Sequence, residues 1–322
     1  MSIIEKAVKR LTPEGQDGRV HRGPNLAGEA FPTFSTAPAR PVENSVALDP
    51  SPSTVDVGAS QTMPELQSRG AQGQSAYVEI SFDRLRSAGF ISPDNINGRV
   101  SEEFRIVKRP LLTNAFGKGA KAVKNGNLIM VTSSLPGEGK TFSAINLAIS
   151  IAMERDHRVL LVDADVAKPS VPAALGIPGE KGLLDLVLER DLQFSDVLIK
   201  TNIDKLNILP AGRKHSNATE LLASEAMHRL LQEISQRYHD RIIIFDSPPL
   251  LATTEARALA SRMGQIVMVV EAGKTQREAL KEALTQIVNC EVVGLLLNKG
   301  GSVLGGDESY GYGYGTYGGY GA

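Results

Sequence analysis

The stretch Asn127-Leu128-Ile129-Met130-Val131-Thr132-Ser133-Ser134-Leu135-Pro136-Gly137-Glu138-Gly139-Lys140-Thr141-Phe142 decides the fold. An apolar run ends in a turn with two glycines, and the amphipathic pattern TFSAINLAISIAM opens directly after Lys140. Strand, glycine turn and helix in this order build a phosphate-binding loop. The glycines let the backbone curl so that its N–H groups point at phosphate oxygens, and the helix N-terminus adds its dipole. Lys140 is placed to reach the β and γ phosphates and the Thr141 hydroxyl to ligate Mg²⁺. Ser134 stands where the motif usually opens with glycine. The nucleotide-binding residues expected here are Ser134, Leu135, Pro136, Gly137, Glu138, Gly139, Lys140, Thr141 and Phe142.

Outward from this loop, β-rich apolar runs alternate with helical patterns: RVLLVD, helices to about Lys200, LNILPAG, one helix over TELLASEAMHRLLQEIS, RIIIFD, a helix, QIVMVVEAG, a helix and VVGLLLNK. The strands are continuous apolar runs, not half-buried alternations. That pattern predicts an α/β P-loop NTPase with a mostly parallel sheet covered by helices on both faces.

Two of these strands end in acids. Val159–Val162 runs into Asp163-Ala164-Asp165, and Ile242–Phe245 into Asp246-Ser247-Pro248-Pro249. The carboxyl ends of parallel strands are where α/β folds bind ligands. Asp163, Asp165 and Asp246 converging on one triphosphate would repel it unless a divalent cation sat between them, so Mg²⁺ is implied, with Thr141 and these three aspartates as its expected ligands.

Composition narrows the function. With 35 Lys plus Arg against 36 Asp plus Glu in 322 residues, the net charge is −1 and a charge-driven nucleic-acid binder is excluded. The single cysteine, Cys290, excludes an internal disulfide and a multi-cysteine metal site. No apolar run approaches the roughly 18 residues of a membrane span, and the first residues are charged where a signal peptide would be apolar. A cytoplasmic chain is expected.

Organisation changes along the chain. Residues 1–11 carry Ile3, Ile4, Ala7, Val8 and Leu11 at helical spacing, a short amphipathic helix that either docks on a partner or membrane surface or frays. Residues 12–100 read as a largely disordered linker, because 8 of the 17 prolines fall between Thr12 and Ser75. A short ordered segment near 77–94 interrupts it, a strand followed by a small helix ending near Gly89. Residues 101–300 form the P-loop domain, opening with a helix over Ser101–Lys121 that is kinked or broken at Pro110. Residues 301–322 are a glycine-rich flexible tail with five of the seven tyrosines: Tyr310, Tyr312, Tyr314, Tyr317 and Tyr320.

P-loop, DxD after the second strand and D-S-P-P after the later one together resemble the bacterial tyrosine kinases, whose catalytic domain is related to the MinD and ParA ATPases. The segment YVEI…DRLRSAGF and the form DADVAKPS resemble the exosortase-associated tyrosine autokinases of exopolysaccharide gene clusters. The resemblance implies ATP and Mg²⁺, with Lys140, Asp163, Asp165 and Asp246 catalytic and Asn298 contacting adenine. The family often carries a basic residue two places after DxD; here Ala167 stands there and Lys168 follows. Asn217 and Glu220 are spaced as a capping box. Glu102, Arg105 and Lys108 occupy the family's E-x-x-R-x-x-R positions, which implies a homo-oligomeric ring built through that helical face.

The resemblance further implies autophosphorylation of the tail tyrosines in trans, control of exopolysaccharide biosynthesis and export, a transmembrane polysaccharide co-polymerase adaptor holding the enzyme at the inner membrane, and a cognate tyrosine phosphatase. The twelve residues from Asn298 to Tyr310 reach about 40 Å when extended, enough to enter a neighbouring site. The competing expectation is a MinD- or ParA-like ATPase switch. Those proteins carry a lysine at the second place of the loop, where this chain has Leu135.

Overall fold

A computed structural model describes residues 75–117, 123–179, 181–189, 191–237, 240–287 and 289–300. The expected helix at 1–11, the linker before residue 75 and the tyrosine tail at 301–322 lie outside the described residues.

The strands are β1 Ala76–Val78, β2 Leu128–Ser133, β3 Arg158–Asp163, β4 Ile199–Thr201, β5 Leu206–Leu209, β6 Arg241–Asp246, β7 Gln265–Glu271 and β8 Val292–Asn298. They form one sheet in the order β1-β4-β5-β3-β6-β2-β7-β8. Every pairing is parallel except β4 with β5. Alternate residues of the central strands face opposite layers. Ile129, Val131, Val159, Leu161, Ile242 and Ile244 pack into one core. Leu128, Met130, Leu160, Val162, Ile243 and Phe245 pack into the other. Burial on both faces is why these strands read as unbroken apolar runs.

The helices are α1 Phe82–Ser87, α2 Arg99–Phe116, α3 Lys140–Ala152, α4 Val171–Leu175, α5 Leu183–Leu188, α6 Phe194–Val197, α7 Ala218–Ala223, α8 Glu225–Arg237, α9 Thr254–Ala260 and α10 Arg277–Thr285. α1 to α4 contribute to the first core and α5 to α10 to the second.

Register places the chemistry. β3, β6 and β2 are neighbours in the sheet, and Asp163 is the register partner of Asp246, which is in turn the partner of Val131. The phosphate loop, the DxD turn and the DSPP turn therefore leave the same edge of three adjacent strands.

Several expectations are corrected. The domain does not begin at residue 101. β1 pairs with β4, and Ile80, Leu85 and Ile91 are buried in the first core. The segment is tied down by polar contacts with distant residues: Ile80 N–H donates to Asn202 Oδ1 (2.8 Å), Asn202 Nδ2 donates to Ile80 O (3.0 Å), and Ile91 N–H donates to Asn146 Oδ1 (2.7 Å). Helix α2 continues through Pro110 without a break, since the proline lies on its exposed side and the carbonyl that loses its partner there belongs to exposed Ile106. β4 falls within the stretch read as helical; three residues are too few to show a period. The single helix expected over 219–235 is two, because Ser224 is extended and its hydroxyl accepts the Met227 N–H. Asn217 makes no side-chain capping bond, so the expected box with Glu220 does not form.

Leu85 tests the corrected boundary. Leu85→Ala is expected to lower unfolding stability by about 2–5 kcal/mol, the usual range for a leucine removed from a packed core. A urea midpoint unchanged from the parent protein would show that residues 76–98 are dispensable to the fold.

Candidate functional site

The loop between β2 and α3 curls because two of its glycines take left-handed backbone angles, Gly137 at φ 88° and Gly139 at φ 99°. Its shape is held from within. Ser133 Oγ donates to Leu135 O (2.8 Å), and the buried Glu138 carboxylate accepts the Leu135 N–H (2.9 Å) and the Thr275 hydroxyl. Phe142, one turn into α3, stacks on Phe90 with ring centroids 5.3 Å apart, so the segment before residue 101 also braces this helix.

The polar residues the sequence singles out are brought together and given separate partners. Lys140 Nζ contacts Asp165 Oδ2 at 2.7 Å, with both side chains largely buried. The Thr141 and Ser170 hydroxyls are 2.9 Å apart. Asp163 accepts N–H bonds from Ser170 and Val171 on Oδ2 (both 2.9 Å) and from Asp165 on Oδ1 (3.2 Å), which orders the turn that follows β3. Asp246 is buried and neither of its oxygens has a hydrogen-bond partner at good geometry.

Burial sets the electrostatics. It raises the Asp163 carboxyl to about 6, opposed by the backbone bonds from Val171 and Ser170 and assisted by the neighbouring charge of Asp165. It raises Asp246 to about 7, although the Lys140 charge and the nearby Thr141 hydroxyl favour ionisation. Two acids raised by burial at the ends of adjacent strands mark this cluster as the candidate chemical site.

The residues fit a magnesium ion in one respect and depart from expectation in another. A buried carboxylate with both oxygens orphaned, beside a threonine hydroxyl, offers the hard oxygen donors that Mg²⁺ selects. The three aspartates do not form a ligand cage: among the described residues no three acidic, histidine or cysteine side chains group closely enough to hold a metal. Asp246 and Thr141 would hold the ion, and Asp165 could join them only once Lys140 has left it, while Asp163 is bonded to backbone N–H groups.

Two other expectations change. Asn298 does not present a free amide for adenine, since its Nδ2 donates to Glu138 O (2.9 Å) and its Oδ1 accepts the Lys299 N–H (2.9 Å). Lys108 does not share an exposed face with Glu102 and Arg105. It is buried, donating to Ser150 O (2.6 Å) and pairing with Glu154 (2.7 Å), whose carboxyl this bond holds below its usual range. Glu102 and Arg105 remain outside, ion-paired to each other. Sequence reasoning missed the bracing by Thr275, Ser170 and Lys299, because each acts through residues far away in the chain.

This loop and its partners match known proteins across most of the described chain. A family model described as an AAA domain matches residues 126–292. The tyrosine-protein kinase YwqD of Bacillus subtilis is 32% identical over 226 residues, which span 70% of this chain and 89% of the relative. The chain belongs to the bacterial tyrosine-kinase family. Solved structures that are each 26% identical to this chain include the chimerical protein CapA2B2 (TM-score 0.55, covering 69% of this chain and 93% of that one) and the kinase domain of the Escherichia coli tyrosine kinase ETK (TM-score 0.51, covering 58% and 72%). Among the described residues of this family member, no helix is long and apolar enough to cross a membrane.

The buried carboxyl of Asp246 makes stability depend on pH. Its folded value, about 7, lies above the unfolded value of 3.8, so the native protein holds more protons between them. The stabilisation is complete below 3.8 and is lost as the pH rises through about 7. In buffer free of nucleotide and divalent cation, Asp246→Asn is expected to flatten this dependence and to stabilise the protein more at pH 8 than at pH 5. Thermal melting at pH 5 and pH 8 checks it; an equal effect at both pH values would mean that Asp246 is already ionised in the fold.

Proposed function

We propose that this chain is an ATP-dependent protein-tyrosine autokinase that phosphorylates the tyrosines of its own C-terminal tail, in trans within a homo-oligomer. The observation that carries this reading is the convergence of Lys140, Thr141, Asp163 and the unpartnered Asp246 at the ends of three adjacent strands. The tail supports it from the other side. Tyr310, Tyr312, Tyr314, Tyr317 and Tyr320 sit on a glycine-rich segment that follows Gly300. A phosphoryl acceptor has to approach the γ-phosphate in line, which tethered tyrosines do readily.

In this mechanism the N–H groups of Gly137 to Lys140 hold the phosphates and Lys140 moves from Asp165 to the transferring phosphoryl group. A magnesium ion, held by Asp246 and Thr141, would supply the positive charge that offsets the charge developing on the phosphates. Asp163 takes the tyrosine proton on Oδ1, the oxygen with the longer backbone contact, while Oδ2 keeps its bonds to Ser170 and Val171. The tyrosine oxygen gains the phosphoryl group, the bond to the ADP oxygen breaks, and the proton rests on Asp163. A carboxyl near 6 is a better acceptor for this proton than an ordinary aspartate.

Exposed Glu102 and half-buried Arg105 on α2 are the contacts we assign to the oligomer, with Lys108 removed from that role. The remaining reading follows the family resemblance: a separate transmembrane polysaccharide co-polymerase adaptor brings the enzyme to the inner membrane, a tyrosine phosphatase resets it, and the cycle regulates exopolysaccharide biosynthesis and export. Full phosphorylation of the tail adds roughly 7–10 negative charges, enough to loosen an assembly packed through the tails.

Incubating the purified chain with Mg-ATP and its activator, followed by mass spectrometry of residues 301–322, tests the reading. Phosphotyrosine is expected on the wild type, none on Lys140→Met, and at least a ~100-fold lower rate on Asp163→Asn with nucleotide binding retained. ATP hydrolysis with every tail tyrosine unmodified would favour a MinD- or ParA-like ATPase switch instead.

A further inference from the structure

A loop that turns its N–H groups inward to a ligand turns its carbonyls outward, and those carbonyls need donors of their own. Two of them find donors at the end of β8. Lys299 Nζ donates to Gly137 O at 2.8 Å, and Asn298 Nδ2 donates to Glu138 O at 2.9 Å. The donors are adjacent in sequence and are themselves fixed. Asn298 Oδ1 accepts the Lys299 N–H, and Lys299 takes a left-handed backbone angle, φ 59°, which non-glycine residues seldom adopt. Glu271 Oε1 lies 3.3 Å from Lys299 Nζ and steadies the ammonium. The fit also involves the loop's second glycine: a Cβ on Gly139 would lie 2.0 Å from Asn298 Nδ2, so only glycine admits this strap.

We propose that Asn298 and Lys299 are positioning residues for the phosphate loop, holding the Glu138 and Gly137 carbonyls outward so that the N–H groups of the loop point inward before nucleotide arrives. The two side chains span about 160 positions of sequence to do this, and they close the last strand against the first loop. The proposal rests on the reading of this loop as a phosphate site and is independent of which group accepts the phosphoryl.

The test uses the full chain with a fluorescent ADP and Mg²⁺, alongside hydrogen exchange of the nucleotide-free protein. Lys299→Met is expected to weaken nucleotide binding about 10-fold, the usual effect of losing one charge-assisted hydrogen bond. Asn298→Ala is expected to weaken it by a similar factor, and Lys299→Arg, which keeps a cationic donor, to restore most of the loss. Without nucleotide, amide exchange over residues 135–140 should quicken several-fold in Lys299→Met, while exchange in β6 and the melting temperature stay as in the wild type. Wild-type affinity and wild-type exchange in both Lys299→Met and Asn298→Ala would overturn the proposal while leaving the phosphate-loop reading intact, provided Lys140→Met has lost binding. Binding unaffected by Lys140→Met would overturn the loop reading itself, and the proposal with it. Faster amide exchange in β6 of Lys299→Met, or failure of Lys299→Arg to restore binding, would assign the residues a general structural role and overturn positioning.

Discussion

Everything at the business end of this fold follows from acids held out of water. Asp163, Asp165 and Asp246 are all buried, and the cation among them is Lys140, which is committed to Asp165. Removing a carboxylate from water is unfavourable unless a cation or several donors replace the lost hydration. Asp165 has the lysine and Asp163 has three backbone N–H groups, but Asp246 has neither, and its carboxyl accordingly rises to about 7. The resulting shortage of positive charge is a chemical demand built into the site. A divalent cation meets it.

The sheet makes that arrangement stiff. Because alternate residues of β2, β3 and β6 pack into two separate cores, no strand can slide by one residue without exchanging its two buried faces. The register of Asp163 against Asp246 is therefore fixed by Ile242 to Phe245 and Val159 to Val162 below them. Helix α3 is braced in turn by residues before the expected domain start, through Phe90 on Phe142 and Ile91 on Asn146. The short ordered segment before residue 101 is part of what orients the phosphate loop.

What was legible in the sequence was local. The P-loop, the long strands and the strand-end aspartates each have a pattern contained within about ten residues, and the fold places them together as α/β topology requires. Features that depend on a distant partner were not legible. Lys108 has the spacing of an exposed helical face, yet the carbonyl of Ser150 and the carboxylate of Glu154 draw it inward. β4 is too short to declare itself and exists because β1 and β5 flank it. Asn298 has the chemistry to read a base, and nothing near it in sequence reveals that Gly139 leaves room for its amide against the loop.

The pairings of Lys140 and Thr141 shape how the site would load. Lys140 holds Asp165 and Thr141 holds Ser170, so the two side chains read as phosphate and magnesium ligands both have protein partners to leave. Exchanging these contacts for phosphate and metal contacts is nearly balanced for Lys140 and Thr141 themselves, because each trades one polar partner for another. It is not balanced for Asp165, which loses its cation just as a polyanion arrives beside it. Nucleotide entering alone would thus add repulsion with Asp165, Asp163 and Asp246, whereas nucleotide entering with a divalent ion supplies the charge that the departing lysine removed. On the proposed reading the requirement for the metal arises from the partner switch of Lys140 as much as from the phosphates, and it links metal and nucleotide in a single binding step.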